Sequence, residues 1–245
     1  MKYILSLFSV LMIASTAGAA GESVPYEVDG APYEGYFVSA GQKAPLVLLI
    51  HDWDGLTDYE VKRSDMLAKM GYTVFAADLF GAGIRPTKVE DKRQHTGELY
   101  KDRAKMRALV AGALNKARAM GADTGNAVVM GYCFGGAAVL EYARSGADMK
   151  GFVTFHGGLS TPEGQDYTKV KGKLLIMHGT ADTVVTMDDF AKLAVALEGS
   201  GIPHEMITYG GATHAFTVFG APSYREDADR KSWRRFSEFL ADTLK

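Results

Sequence analysis

The stretch Gly131-Tyr132-Cys133-Phe134-Gly135-Gly136 restricts the fold of this chain more than any other. An apolar run, Ala127 to Met130, leads into it, and a helix-forming run, Ala137 to Arg144, leads out. That order reads as a buried strand, a sharp turn and a helix, with Cys133 at the turn. A turn so tight crowds the backbone on both sides of its central residue, and a Cβ at Gly131 or Gly135 would collide there. The central side chain is thereby lifted above the edge of the sheet, as a nucleophile must be. The helix that follows points N–H groups and partial positive charge at the sulfur, so the thiolate is expected to be favoured over the thiol. A lone cysteine among apolar residues is more often a small buried hydrophobe. The flanking glycines and the strand-to-helix switch weigh against that reading here.

Around this turn the chain alternates strands and helices. Val24–Val28 and Tyr33–Val38 are β-rich, and Asp29-Gly30 between them suits a tight hairpin. Leu46–Ile50 is wholly apolar, as a strand buried on both faces should be. Apolar spacing predicts a helix over Leu56–Met70, ended by Gly71, and Tyr72–Ala77 is the next strand. A Gly- and Pro-rich loop precedes a long helix over Lys92–Met120, with Gly97 as the expected break. After the turn helix come strands at Gly151–Phe155 and Lys173–Met177, a helix at Met187–Leu197, a strand at His204–Tyr209 and a closing helix over Tyr224–Leu244. The expected fold is α/β, a mainly parallel sheet with helices on both faces, and the Gly-x-Cys-x-Gly turn is similar to the nucleophile elbow of the α/β-hydrolase fold. Ligand sites in such sheets lie at the carboxyl ends of the strands. His51, Asp52, Asp78, Cys133, His156, His178 and His214 all fall there.

Residues 1–20 read as a separate object. Met1-Lys2 is basic, Tyr3–Ala14 is apolar, and Ala17-Gly18-Ala19 fits a cleavage site, so an export signal is expected, leaving one domain over 21–245. The apolar core is short of the roughly 20 residues that a membrane anchor needs. The protein is therefore expected to be periplasmic or secreted and free of the membrane after cleavage. Exported chains use cysteines in pairs; this one has a single Cys, which favours a reactive thiol. A net charge of -2 without a long basic run gives no support to nucleic acid as a partner. The 245 residues suffice for one core, and a monomer acting on a small molecule is expected.

A thiol nucleophile needs a base, and the base needs an orienter. In hydrolases with such a turn the chain order is nucleophile, acid, histidine. Asp182 follows a strand after Cys133, and His214 follows the next strand, which makes His214 the base and Asp182 its orienter. His178 and His156, each followed by glycine, read as packed turn residues, and Asp188 and Asp189 as the acidic start of a helix. No H-x-x-x-H or H-x-H pair is present, so a His-rich metal site at the strand ends is not expected. Acyl chemistry also needs oxyanion donors. The N–H of Phe134 and that of Trp53, in the loop after the first buried strand, are the candidates, each worth roughly 3–4 kcal/mol of barrier.

From about Tyr33 onward the chain resembles the dienelactone hydrolase family. The resemblance rests on the Gly131–Gly136 motif, His51-Asp52-Trp53-Asp54-Gly55, Tyr72–Gly81, His178-Gly179-Thr180-Ala181-Asp182 and Ala212-Thr213-His214-Ala215-Phe216. It implies a Cys133–His214–Asp182 triad that hydrolyses esters or lactones without a cofactor. Members of the family usually carry Glu where Asp52 stands, and that carboxylate contacts the thiol and modulates its ionisation. Many carry an aromatic in place of Asp54. Enzymes acting on dienelactone place an arginine at the position of Val218. Val218, with Phe216 and Phe219, suggests an apolar wall and neutral substrates, unless Arg85 or Arg93 reaches in. The alternatives are a thioesterase, a peptidase, or a binding protein that keeps the fold without turnover.

Overall fold

The computed structural model describes residues 20–245. The expected leader lies outside the described residues apart from Ala20. The chain opens with a hairpin of β1 (Glu22–Val28) and β2 (Ala31–Val38). Asp29 and Gly30 both take positive φ, 50° and 77°, the backbone that a two-residue hairpin turn demands. Then follow β3 (Pro45–Ile50), α1 (Asp58–Lys69), β4 (Thr73–Ala77), α2 (Val89–Lys101), α3 (Arg103–Ala119), β5 (Asp123–Tyr132) and α4 (Phe134–Arg144). The remainder is β6 (Gly151–Phe155), β7 (Lys173–Gly179), α5 (Met187–Ser200), β8 (His204–Tyr209) and α6 (Glu226–Thr243).

The eight strands form one sheet in the order β1-β2-β4-β3-β5-β6-β7-β8. All neighbours from β4 to β8 pair in parallel, and only β2 runs against the rest. Alternate side chains of each strand feed opposite faces. Leu46, Leu48 and Ile50 join the core under α2–α5, whereas Val47 and Leu49 join the core under α1 and α6. Leu46–Ile50 are all fully buried, each such side chain being worth about 1.5–3 kcal/mol. The carboxyl ends of the six parallel strands therefore share one edge, and the loops that carry His51, Asp78, Cys133, His156, Asp182 and His214 all open onto it.

The long helix breaks at a different place from the one expected. Gly97 lies inside α2, where a glycine costs about 1 kcal/mol but breaks no hydrogen bond. The break falls at Asp102, which leaves helical backbone (φ −109°, ψ 79°) and caps α3 by accepting the Lys105 N–H at 2.8 Å. A side chain that can satisfy an orphan donor stops and restarts the helix more effectively than a flexible residue does. No helix among the described residues is long and apolar enough to cross a membrane.

Candidate active site

Cys133 occupies the junction of β5 and α4 with φ 50° and ψ −111°, a backbone that L-residues seldom adopt. The neighbours hold it there. Its N–H donates to Phe155 O at 3.1 Å, and its carbonyl accepts from Gly136 and Gly158 N–H, each at 3.1 Å. The glycines have the task expected of them. A Cβ on Gly131 would lie 2.4 Å from the Gly135 carbonyl, and one on Gly135 would lie 2.5 Å from the carbonyl oxygens of Ile50 and His51. Gly136 and Gly157 face each other as closely, since a Cβ on Gly136 would lie 2.6 Å from the Gly157 Cα.

Three loops meet at the sulfur. Cys133 Sγ lies 3.0 Å from His214 Nε2, and His214 Nδ1 lies 2.7 Å from Asp182 Oδ2. The other oxygen, Asp182 Oδ1, accepts the N–H groups of Val184 and Val185 at 2.8 and 2.9 Å. Burial alone would raise the Asp182 pKa. The hydrogen bonds from His214 and the Val185 N–H outweigh it and hold the carboxyl below its ordinary value. An ionised Asp182 makes Nδ1 the protonated ring nitrogen and leaves Nε2 to accept the S–H.

The thiol itself departs from expectation. Burial under the surrounding protein, then the Asp52 carboxyl, push the Cys133 pKa up, and the hydrogen bond from the Phe134 N–H only partly opposes them. Burial and Asp52 both favour the thiol over the thiolate that the helix N-terminus alone suggests. Partial charge at a helix end is worth at most about 2 kcal/mol, less than the desolvation of an anion.

Asp52 is buried. Desolvation and the side chain of Asp54 raise its own pKa well above the ordinary carboxylate range. Its Oδ1 accepts the Asp54 N–H at 3.0 Å. Asp54 in turn pairs with Lys92 Nζ at 3.2 Å, and that ammonium sits 5.0 Å from the centre of the Trp53 ring. The sign of an Asp52→Asn change follows. Below the raised pKa of Asp52 both side chains are neutral and the thiol should alkylate at similar rates. As pH rises through that pKa, the wild type gains a charge that opposes thiolate, and the variant does not. Iodoacetamide should therefore modify Asp52→Asn faster, with the ratio growing with pH. A ratio flat or falling with pH would show that Asp52 does not act on the sulfur.

Of the expected oxyanion donors, the Phe134 N–H stands at the start of α4 next to Cys133 and lowers the cost of charge on the sulfur. Trp53 is half-buried in the loop after β3, packed on the same core as Cys133. Its N–H makes no hydrogen bond recorded among the described residues.

One other expectation changes. Phe216 is fully buried in the core between the sheet and α6 and is not a pocket wall, whereas Phe219 is half-buried with the Arg63 guanidinium 4.1 Å from its ring centre. Arg85 is held by the Ile84 carbonyl at 2.8 Å and lies 3.7 Å from Asp78, and Arg93 is exposed on α2. His178 is a packed residue as expected, its Nε2 2.9 Å from Val185 O. Asp189 belongs to the capping box of α5.

The sequence reading missed Tyr100. Its ring packs edge-on against Phe134 at 5.5 Å. The residue stays 38% exposed, but loss of water around its hydroxyl, followed by the nearby Cys133, raises its pKa. Tyr100 sits at the end of α2, in a stretch with no local signal for a site. No group of three or more His, Cys, Asp or Glu among the described residues is arranged to hold a metal ion.

Comparison with known proteins agrees with this architecture. A Synechocystis protein with the provisional name carboxymethylenebutenolidase is 25% identical over 228 residues, covering 85% of this chain and 89% of that protein. A dienelactone hydrolase-like promiscuous phosphotriesterase from metagenomic libraries superposes with a TM-score of 0.85 at 26% identity, covering 92% of this chain and 98% of the other. A structure named m3DLH superposes with a TM-score of 0.86 at 29% identity and the same coverage. The family model described as the dienelactone hydrolase family matches residues 34–244, and this chain belongs to that family.

Proposed function

We propose that the protein cleaves carboxylic esters or lactones by a Cys133 nucleophile, with His214 as base and then acid and Asp182 as its orienter. The observation that carries this reading is the unbroken line Asp182–His214–Cys133, 2.7 and 3.0 Å per step, at a strained turn. A neutral resting thiol means that the proton moves as the bond forms. The sulfur attacks the carbonyl carbon while S–H passes its proton to His214 Nε2. The oxyanion forms against the N–H groups of Phe134 and Trp53. His214 returns the proton to the alkoxide as the C–O bond breaks, leaving a thioester on Cys133. Water then gives a proton to Nε2 and its oxygen to the acyl carbon. The carboxylic acid leaves and the sulfur regains its proton. The basic, apolar and small-residue segments of residues 1–20 support a place of action outside the cytoplasm.

The substrate class follows from charge. A buried unpaired carboxylate costs several kcal/mol. Val218 supplies no cation, Arg85 is tied to Asp78, and Lys92, beside Trp53, is already paired with Asp54. Neutral esters and lactones of modest size are thus preferred. Turnover of p-nitrophenyl acetate tests the chemistry and separates an enzyme from a binding protein. For selectivity, kcat/KM should favour an uncharged lactone over a carboxylate-bearing one of like size by at least tenfold, about 1.4 kcal/mol. Val218→Arg should narrow the gap. A tenfold preference for the anion would overturn the assigned substrate class.

A further inference from the structure

Behind His214 lies a buried polar chain that the reaction above does not use. Arg63 of α1 is almost wholly buried and forms an ion pair with Asp229 of α6. Its guanidinium is stacked between Phe219, at 4.1 Å, and Trp233, at 4.8 Å. One guanidinium nitrogen, Nη2, donates to the Thr217 carbonyl at 2.8 Å, and Nε donates to the Tyr59 hydroxyl at 3.2 Å. The Tyr59 hydroxyl lies 2.7 Å from Thr217 Oγ1, and Thr217 Oγ1 lies 2.8 Å from His156 Nε2. Thr217 and His156 are fully buried. The His156 ring stands edge-on to His214 with centroids 5.4 Å apart, and Thr217 is three residues beyond His214 in the same loop.

Donor chemistry fixes the first bond: arginine has five N–H donors and no acceptor, so the Tyr59 oxygen accepts from Arg63. That oxygen keeps a second lone pair, so the Tyr59–Thr217 and Thr217–His156 bonds run together in one of two directions. In the direction that puts the Tyr59 proton on Thr217 Oγ1 and the Thr217 proton on His156 Nε2, His156 is neutral with its proton on Nδ1. Burial and the neighbouring His214 push its pKa well below the ordinary value, in the same sense. We propose that Thr217 is a positioning residue. Its carbonyl, anchored on Arg63, fixes the loop of His214, and its hydroxyl holds His156 as one neutral tautomer against which the His214 ring rests. A loop backbone with a non-glycine residue at positive φ (Ala215, 58°) needs such outside anchorage.

The proposal rests on His214 being the base, and the test keeps the two claims apart. His214→Ala is the reference. If it keeps near wild-type kcat, the proposed function fails first. Given its loss, Thr217→Val keeps the shape, removes the hydroxyl, and should lower kcat about 10–100-fold, as small misplacements do, with KM little changed. Thr217→Ser restores the hydroxyl and should recover most of kcat. Nitrogen NMR of labelled wild type should show His156 protonated on Nδ1 alone, and Thr217→Val should lose that single tautomer. If Thr217→Val does not fold, wild-type NMR and Thr217→Ser still decide. An Nε2–H or cationic His156, or a kcat for Thr217→Ser as low as that for His214→Ala, would overturn the proposal. So would a folded Thr217→Val with full kcat.

Discussion

Cys133→Ala should abolish ester turnover, by about 10⁶-fold in kcat where a triad nucleophile acts as a unit with its base, and should leave the fold intact. The size comes from the step removed, since no other thiol exists in the chain and, among the described residues, no other side chain stands at 3.0 Å from His214 Nε2 as Sγ does. The intact fold follows from how little the sulfur holds together. The turn is fixed by backbone hydrogen bonds to Phe155, Gly136 and Gly158, and alanine bears the same positive φ no worse than cysteine. Steady-state rates on p-nitrophenyl acetate, with a melting curve beside them, check both halves. Full turnover by a folded Ala variant would remove Cys133 from the mechanism.

Asp182→Asn should cost about 10⁴-fold in kcat, as losing the right imidazole tautomer does. The geometry sets the direction. Asp182 Oδ1 accepts two N–H groups, from Val184 and Val185, so an asparagine places its carbonyl oxygen there and its NH2 toward His214. Nδ1 must then accept, Nε2 carries the proton, and the sulfur faces a donor where it needs a base. The pH profile adds a check. The lowered Asp182 pKa puts any acid limb due to this carboxylate below the usual carboxylate range, and a limb from Asp182 within or above that range would contradict the assignment. A loss smaller than tenfold would show that another group orients His214.

The parts of the site legible in sequence were those whose cause is local. Gly131 and Gly135 are needed by contacts within and beside the turn itself, so their spacing around Cys133 reveals the elbow directly. Solid apolar runs such as Leu46–Ile50 mark central strands because both faces are covered. The order Cys133, Asp182, His214 carries over because parallel strands bring every carboxyl end to one edge. What depends on three-dimensional neighbours stayed hidden. The upward shift of the Cys133 pKa comes from burial and from Asp52, which its helix does not reveal. Phe216 looked available for a pocket wall because its neighbour in sequence is in the active loop, yet its side chain faces the core. Arg63, Tyr59, Thr217 and His156 come from two loops and a helix, separated by as many as 158 positions between Tyr59 and Thr217, and no pattern in the chain links them. Asp102 was missed as a helix break because Gly97 is the stronger textual signal, although capping decides the boundary.

The most direct test of the central claim is to catch the acyl group. Wild-type protein mixed with p-nitrophenyl acetate, quenched in acid within the first turnover, digested and analysed by mass spectrometry should carry one acetyl group, on Cys133. The mark should persist longer when His214 is replaced by alanine and acylation is driven by a more reactive ester, because the base that activates water is gone. Acetyl found on another residue, or turnover with a burst of p-nitrophenol but no acyl-Cys133, would contradict the thioester mechanism.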